Sequence, residues 1–445
     1  MLALVLAVAA LFTGTPQPVT IIASDGVPLA CSIVEPDGAP PAGGWPAVIL
    51  FHGLGQSHSD MEPIATQALA PAGFASLMCD ARGTGASGGV WGLDGPREDQ
   101  DARDLFTWLA ARPEISGTAI GAVGLSLGGG AVWNAAAAGV PFVAIVPMIT
   151  WTDLQTALAP NGLAKSIPIQ LLALAVPTAR WDPSLLAAEP SLLQSNLSAV
   201  APIAAARSVV SRLPAITTPT LLMQGRHDFF FDIDQAEAAY KRLGGPKQLY
   251  IGDLGHAPAA NPPAELPTIY GVAVAWLNRY LRGTGSTDAP VQLAHDPWDG
   301  KTTTYDALPP TKTISIELPG ATTLKTGTDV VRGVRLTGGP HETFGDGTVK
   351  VRYWNAKGWD HLVATVTLAG SSTPITVGGV KITTPSGIAM IHLLNESVLV
   401  PAGRRVLVTL GATDEIFGMA VPAGSSITIG RETLNLSVLK RAVSR

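Results

Sequence analysis

Ala119-Ile120-Gly121-Ala122-Val123-Gly124-Leu125-Ser126-Leu127-Gly128-Gly129 is the stretch on which the fold turns. Its first seven residues form an apolar run without alternation, the pattern of a strand buried on both faces of a sheet. The Ala-rich run after Ser126 predicts a helix. Gly124 to Gly128 is therefore a GxSxG pentapeptide at a strand-to-helix junction, where a tight turn lifts the serine hydroxyl clear of the sheet. Small residues at Gly124, Gly128 and Gly129 relieve the crowding of such a turn, and the following helix directs its positive end toward the site.

Outward from this junction, residues 18 to 282 alternate short apolar runs with helical segments, which predicts a mostly parallel sheet covered by helices. Expected strands are Ala47 to Phe51, Phe74 to Cys79, Ala119 to Leu125, Phe142 to Met148, Thr220 to Gln224 and Gln248 to Ile251. Glu98 to Ala111 reads as an amphipathic helix with Ala102, Leu105, Trp108 and Leu109 on one stripe. Residues 151 to 215, rich in Leu, Ala and Pro, interrupt the alternation and have the size of a helical cap. After the turn-rich linker Gly283 to Pro290, residues 290 to 445 read as short strands with many turns, an all-β sandwich.

Composition narrows the function classes. Of 445 residues 14% are charged, and 34 acidic against 29 basic side chains leave a net charge of −5. Without a basic run there is no footprint for a phosphate backbone, so nucleic acid is not an expected partner. Cys31 and Cys79 show no metal-ligand spacing, and neither a metal nor another cofactor is expected. Both cysteines lie in strand-like runs and are expected as buried free thiols, with a disulfide as the alternative. Met1 to Phe12 is continuously apolar and too short to span a bilayer; residues 1 to 17 are a candidate signal peptide, which predicts a secreted or periplasmic protein, with a cytoplasmic one as the alternative.

Serine is a weak nucleophile unless a histidine base and an orienting carboxylate assist it. Asp228 follows the strand Thr220 to Gln224 through Gly225-Arg226-His227, and His256 follows the strand Gln248 to Ile251 through Gly252-Asp253-Leu254-Gly255. Both fall just past strand C-terminal ends, where α/β sheets build their sites. Ser126, Asp228 and His256 are thus the candidate catalytic set, with Asp232 and Asp234 as weaker acids and His227 as a weaker base. An oxyanion would be held by the backbone N–H groups of Leu127 and of Leu54 in His52-Gly53-Leu54-Gly55; His52 itself reads as a structural hydrogen-bonding residue. Trp151 and Phe229, the latter in the run Phe229-Phe230-Phe231, are expected as apolar walls of the substrate pocket, with core packing as the alternative. Asp94, Glu98 and Asp99 read as a solvated helix start, the alternative being a subsite for a substrate amino group.

Asp80-Ala81-Arg82-Gly83-Thr84-Gly85-Ala86-Ser87-Gly88, the helix around Asp101-Ala102-Arg103-Asp104-Leu105-Phe106-Thr107-Trp108-Leu109, and the GxSxG together resemble the cocaine esterase and X-Pro dipeptidyl peptidase group. Pro290-Val291-Gln292-Leu293, Trp298 and Leu399 to Arg405 resemble that group's domain junction and C-terminal domain. The resemblance implies an α/β-hydrolase fold with a helical cap and a C-terminal jelly-roll domain, acting on a small-molecule ester or peptide. Members of the group often carry a tyrosine after the nucleophile and another in the oxyanion hole, where this chain has Leu127 and Leu54. The expected reaction is therefore carboxylic ester hydrolysis through an acyl-enzyme, with X-Pro dipeptide or amide cleavage as the alternative. A non-catalytic binder of a carbohydrate or surface ligand would have no use for all three of Ser126, Asp228 and His256.

Overall fold

The computed structural model describes residues 14–177 and 180–441. A ten-stranded sheet forms its centre: β1 (Gln17–Ile22), β2 (Pro28–Val34), β3 (Trp45–Phe51), β4 (Ala75–Cys79), β5 (Ile115–Leu125), β6 (Ile145–Met148), β7 (Thr220–Gly225), β8 (Lys247–Gly252), β9 (Val291–Ala294) and β10 (Thr302–Tyr305), in the order β1-β2-β4-β3-β5-β6-β7-β8-β9-β10. Strands from β4 through β9 run parallel, and β1, β2 and β10 pair antiparallel at the two edges.

Both faces are covered, which is why the central strands carry apolar residues without alternation. On one face Ile49, Ile120, Ala122, Leu222 and Leu249 meet α2 (Pro96–Ala110), α3 (Leu127–Ala137) and α8 (Ile233–Arg242). On the other, Val48, Leu50, Val123 and Met223 meet α9 (Leu266–Leu281) and the helical stretch that begins with α1 (Glu62–Ile64). Trp276 and Leu277 of α9 are buried here, and a large apolar side chain so buried contributes about 1.5–3 kcal/mol. Between β6 and β7 the chain leaves the sheet as a helical cap, whose described residues include α4 (Leu154–Leu158), α5 (Ser166–Ala175), α6 (Pro183–Leu193) and α7 (Leu197–Ala206).

The C-terminal part is an antiparallel sandwich. One sheet contains β11 (Thr311–Leu318), β12 (Thr322–Lys325), β15 (Gly347–Lys357), β18 (Gly387–Leu393) and β21 (Ser426–Leu439); the other contains β13 (Val330–Arg335), β16 (His361–Leu368), β17 (Pro374–Lys381) and β20 (Arg405–Gly411). A small ribbon pairs β14 (His341–Glu342) with β19 (Leu399–Val400). The architecture is that of an α/β-hydrolase with a helical cap and a C-terminal β-sandwich. Among the described residues no helix is long and apolar enough to cross a membrane.

Two expectations change, and one strand is new. Val291–Ala294 and Thr302–Tyr305 fall on the sandwich side of the boundary expected at residue 290, yet they extend the large sheet, because Val291, Leu293 and Ala294 are buried against β8. Cys31 and Cys79 are not free thiols: they face each other across antiparallel β2 and β4 and form a disulfide. The longest sandwich strand, β21, escapes a reading of apolar alternation because Gly430-Arg431-Glu432 interrupts it; Glu432 is buried and its charge is met by Arg332 at 2.6 Å. The apolar segment Met1 to Phe12 lies outside the described residues.

Candidate active site

Ser126 sits between β5 and α3 with φ 54° and ψ −115°, a left-handed backbone that costs a non-glycine residue energy and persists only where its surroundings impose it. Two glycines make the turn sterically feasible. A Cβ at Gly124 would stand 2.1 Å from the Gly128 carbonyl oxygen, and one at Gly128 would stand 2.0 Å from that of Phe51. The turn points the Ser126 hydroxyl at His256, whose Nε2 lies 2.9 Å away.

His256 is held from its other side. Its Nδ1 lies 2.9 Å from Asp228 Oδ2, which also accepts the His256 backbone N–H at 3.0 Å. Asp228 is fully buried, and its Oδ1 accepts the N–H groups of Phe230 and Phe231 at 2.9 and 3.1 Å. Four hydrogen bonds thus stabilise the carboxylate in one orientation. The Nδ1 hydrogen bond sets the tautomer with a bare Nε2, the atom that can take a proton from Ser126. Three residues from the ends of β5, β7 and β8 are therefore brought into one hydrogen-bonded series.

Leu54 and Leu127 line the cavity beside Ser126. As the first residue of α3, Leu127 has a backbone N–H with no intrahelical acceptor, so it is free to serve a developing oxyanion. His52 is buried and structural: its Nδ1 lies 2.8 Å from the Gly53 carbonyl, and its Nε2 accepts the Ala81 N–H at 2.9 Å. Burial lowers its pKa, which suits this neutral tautomer.

Above Ser126 lies a cavity between the sheet and the cap. Trp91, Trp151, Leu158, Leu172, Trp181 and Phe231 are among its walls, and Gln155 and Glu189 are the polar side chains that join Ser126 there. Trp151 is where the sequence suggested, its Nε1 donating to the Arg207 carbonyl at 2.7 Å. Phe229 is not. It points away from the cavity and packs with Leu163, Val363, Val377, Leu394, Ile416 and Phe417, joining the cap and sheet to the sandwich. Consecutive residues past a strand end face different ways, and of the run Phe229-Phe230-Phe231 only Phe231 lines the cavity.

The secondary candidates have other roles. Asp232 Oδ2 accepts the Asn395 N–H at 3.1 Å and Asp234 Oδ1 accepts from Asn395 Nδ2 at 2.8 Å, so both dock the sandwich. His227 Nε2 lies 2.9 Å from the Pro374 carbonyl, and burial lowers its pKa to about 4. Asp94 and Glu98 are not a solvated helix start: burial pushes the carboxyl of Asp94 well above the usual range, that of Glu98 to about 7 and that of Asp99 to about 6. None of the three lines the cavity above Ser126. Among the described residues no cluster of three His, Cys, Asp or Glu is arranged to hold a metal ion.

A family model described as X-Pro dipeptidyl-peptidase (S15 family) matches residues 25–258. Among solved structures the chain is similar to a CocE/NonD family hydrolase from Staphylococcus aureus, at 13% identity and a TM-score of 0.70 over 96% of this chain and 94% of that one. It is similar to an aminopeptidase from a marine sediment archaeon, Thaumarchaeota archaeon, at 13% identity and a TM-score of 0.73 over 97% of each chain. An alpha-amino acid ester hydrolase matches at 13% identity and a TM-score of 0.72 over 98% of each chain. At such identities the likeness is one of fold. Among curated proteins, an uncharacterized 31.7 kDa protein in the traX-finO intergenic region of Escherichia coli is 34% identical over 109 residues, which make up 24% of this chain and 38% of that protein.

Proposed function

The chain belongs to the X-Pro dipeptidyl-peptidase (S15) family, and from that premise we propose that it is a serine hydrolase cleaving carboxylic esters that carry an apolar acyl group. One observation carries this reading: the hydrogen-bonded series Ser126, His256, Asp228 opens into a cavity walled almost entirely by apolar side chains.

In this reading Ser126 Oγ attacks the acyl carbon and its proton passes to His256 Nε2, while the buried Asp228 carboxylate stabilises the imidazolium that results. The N–H groups of Leu127 and Leu54 receive the negative charge on the former carbonyl oxygen, a contribution of about 3–4 kcal/mol per donor in other acyl-transfer enzymes. Collapse expels the alcohol, which takes the proton back from His256. Water, activated by the same imidazole, then attacks the acyl-enzyme and releases the acid.

The cavity favours esters over dipeptides. An X-Pro substrate brings a charged amino terminus, and burying an unpaired charge is costly; the charged side chain among the cavity walls is Glu189 alone. The alternative, X-Pro dipeptide or amide cleavage, would use Glu189 as the counter-ion. A panel of p-nitrophenyl esters of rising chain length beside Gly-Pro-p-nitroanilide decides between them: the expected result is kcat/KM rising with acyl length and little anilide turnover. Preference for the anilide would reverse the assignment. We further propose an extracytoplasmic location, which the Cys31–Cys79 disulfide supports because such bonds persist in oxidising compartments; localisation of the tagged full chain by cell fractionation tests it, and recovery in the cytosolic fraction would refute it.

A further inference from the structure

The acid loop from Arg226 to Ile233 is not held by the catalytic sheet alone. Residues 395–397, between β18 and β19 of the sandwich, run beside it. Ser397 N–H donates to the Arg226 carbonyl at 2.7 Å, Ile233 N–H donates to the Asn395 carbonyl at 3.1 Å, and Asn395 N–H donates to Asp232 Oδ2 at 3.1 Å. In the middle of this clamp, Glu396 Oε2 accepts the backbone N–H of Asp228 at 2.9 Å. Glu396 is 1% exposed and Asp228 is fully buried, so water cannot serve as the acceptor.

We propose that Glu396 is a positioning residue for the reaction of the preceding section: the sandwich supplies the acceptor that fixes the Asp228 backbone, and through it the carboxylate that orients His256. The inference rests on that reading of Ser126, Asp228 and His256. A buried N–H requires an acceptor, and the Asp228 N–H is one peptide unit from the side chain that holds His256 Nδ1. A shift of its backbone moves both carboxylate oxygens together.

Packing alone does not account for a glutamate here. Its second oxygen, Oε1, is buried without a hydrogen-bond partner, and an unpaired polar atom in a core opposes folding. An apolar side chain would fill the same space without that cost. The charged and titratable groups that face Glu396 are Asp232, Asp228 and Lys165. Burial, together with the two aspartates, holds its carboxyl well above the usual range. Lys165, also buried, grips the same loop from the cap: its Nζ donates to the Phe230 carbonyl at 2.9 Å.

The test compares Glu396→Met and Glu396→Gln in the full chain, since both match glutamate in length and only Gln keeps an acceptor oxygen. For hydrolysis of a p-nitrophenyl ester, kcat of the Met variant is expected to fall on the order of 10²-fold with KM little changed, the loss typical of a catalytic group displaced by about 1 Å. The Gln variant should recover most of it. The rate of fluorophosphonate labelling, read on the fraction that labels, repeats the comparison independently of how much protein folds. Equal loss in both variants, or a Met variant with near wild-type kcat, would overturn the role of Glu396. Ser126→Ala run alongside separates the two levels: turnover that survives Ser126→Ala defeats the reading of the site, whereas Ser126-dependent turnover indifferent to Glu396→Met defeats this inference alone.

Discussion

The ring of Phe230 lies flat on the imidazole of His256, with centroids 4.7 Å apart and planes 17° apart, while Phe231 meets the same imidazole edge-on at 5.3 Å. His256 is thus confined by two rings as well as by Asp228, although its side chain is 22% exposed. Aromatic pairs of this kind are worth about 0.5–1.5 kcal/mol beyond the area they bury. Phe230→Ala is therefore expected to lower kcat for ester hydrolysis by roughly 2- to 12-fold, with KM nearly constant. Steady-state kinetics check this, and an unchanged kcat would show that Asp228 alone holds the ring.

Ser126→Ala should abolish turnover, a loss on the order of 10⁶-fold by analogy with other serine hydrolases, and leave the far-UV circular dichroism unchanged because the hydroxyl contributes little to packing. Asp228→Asn should cost about 10⁴-fold by leaving His256 in the wrong tautomer. Activity of Ser126→Ala above a few per cent of wild type would mean that the nucleophile lies elsewhere.

Leu172 lines the cavity from α5 and is only half-buried, so a larger side chain can be accommodated there without breaking the fold. Leu172→Trp should shorten the preferred acyl chain: kcat/KM for p-nitrophenyl octanoate falls at least about tenfold, the equivalent of roughly 1.4 kcal/mol, while the acetate ester is hydrolysed at nearly the wild-type rate. Parallel loss on both esters would place the acyl group outside the cap cavity.

Glu98 accepts the Gly92 N–H, and burial raises its pKa from 4.5 to about 7 in the folded chain. Between those values the unfolded chain releases a proton that the folded chain retains, so the unfolded state binds fewer protons and stability falls as pH rises through about 4.5 to 7. Glu98→Gln keeps the acceptor and removes the titration. Its Tm should therefore exceed that of the wild type at pH 8 and match it near pH 4.5 in a thermal melt. A Tm difference independent of pH would show that Glu98 titrates alike in both states.

The Cys31–Cys79 disulfide ties β2 to β4 across a sequence separation of 48 residues. Cross-links of that span typically add about 2–4 kcal/mol by restricting the unfolded chain. Replacing both cysteines by serine, or adding dithiothreitol, should lower stability by a similar amount, read as a fall in Tm. A melt insensitive to both treatments would show that the cross-link contributes nothing to the folded state.

Ser126, Asp228 and His256 are visible in the sequence because each follows a strand whose apolar run is short, unbroken and ended by glycine or a polar turn. Local steric rules suffice there: GxSxG specifies the turn at Ser126 whatever the rest of the chain does, and period and turn chemistry mark the ends of β7 and β8. The same local rules outline the parallel sheet, the helix through Asp101 to Leu109, the cap insertion and the strand-rich C-terminal part.

Local rules do not say what a side chain faces across a fold. Phe229, Phe230 and Phe231 are identical in the sequence, yet one packs against the sandwich, one stacks on His256 and one lines the cavity, according to the direction of the loop at each residue. Glu396 is 168 residues from Asp228, in a segment whose pattern predicts only a polar turn, and Cys31 meets Cys79 only because β2 and β4 are neighbours in the sheet. The sequence alone thus determined where Ser126, Asp228 and His256 stand on the strands. Which groups hold them in place, and what space they face, was decided by contacts between distant segments, because those depend on the packing of the sheet, cap and sandwich and leave no periodic trace along the chain.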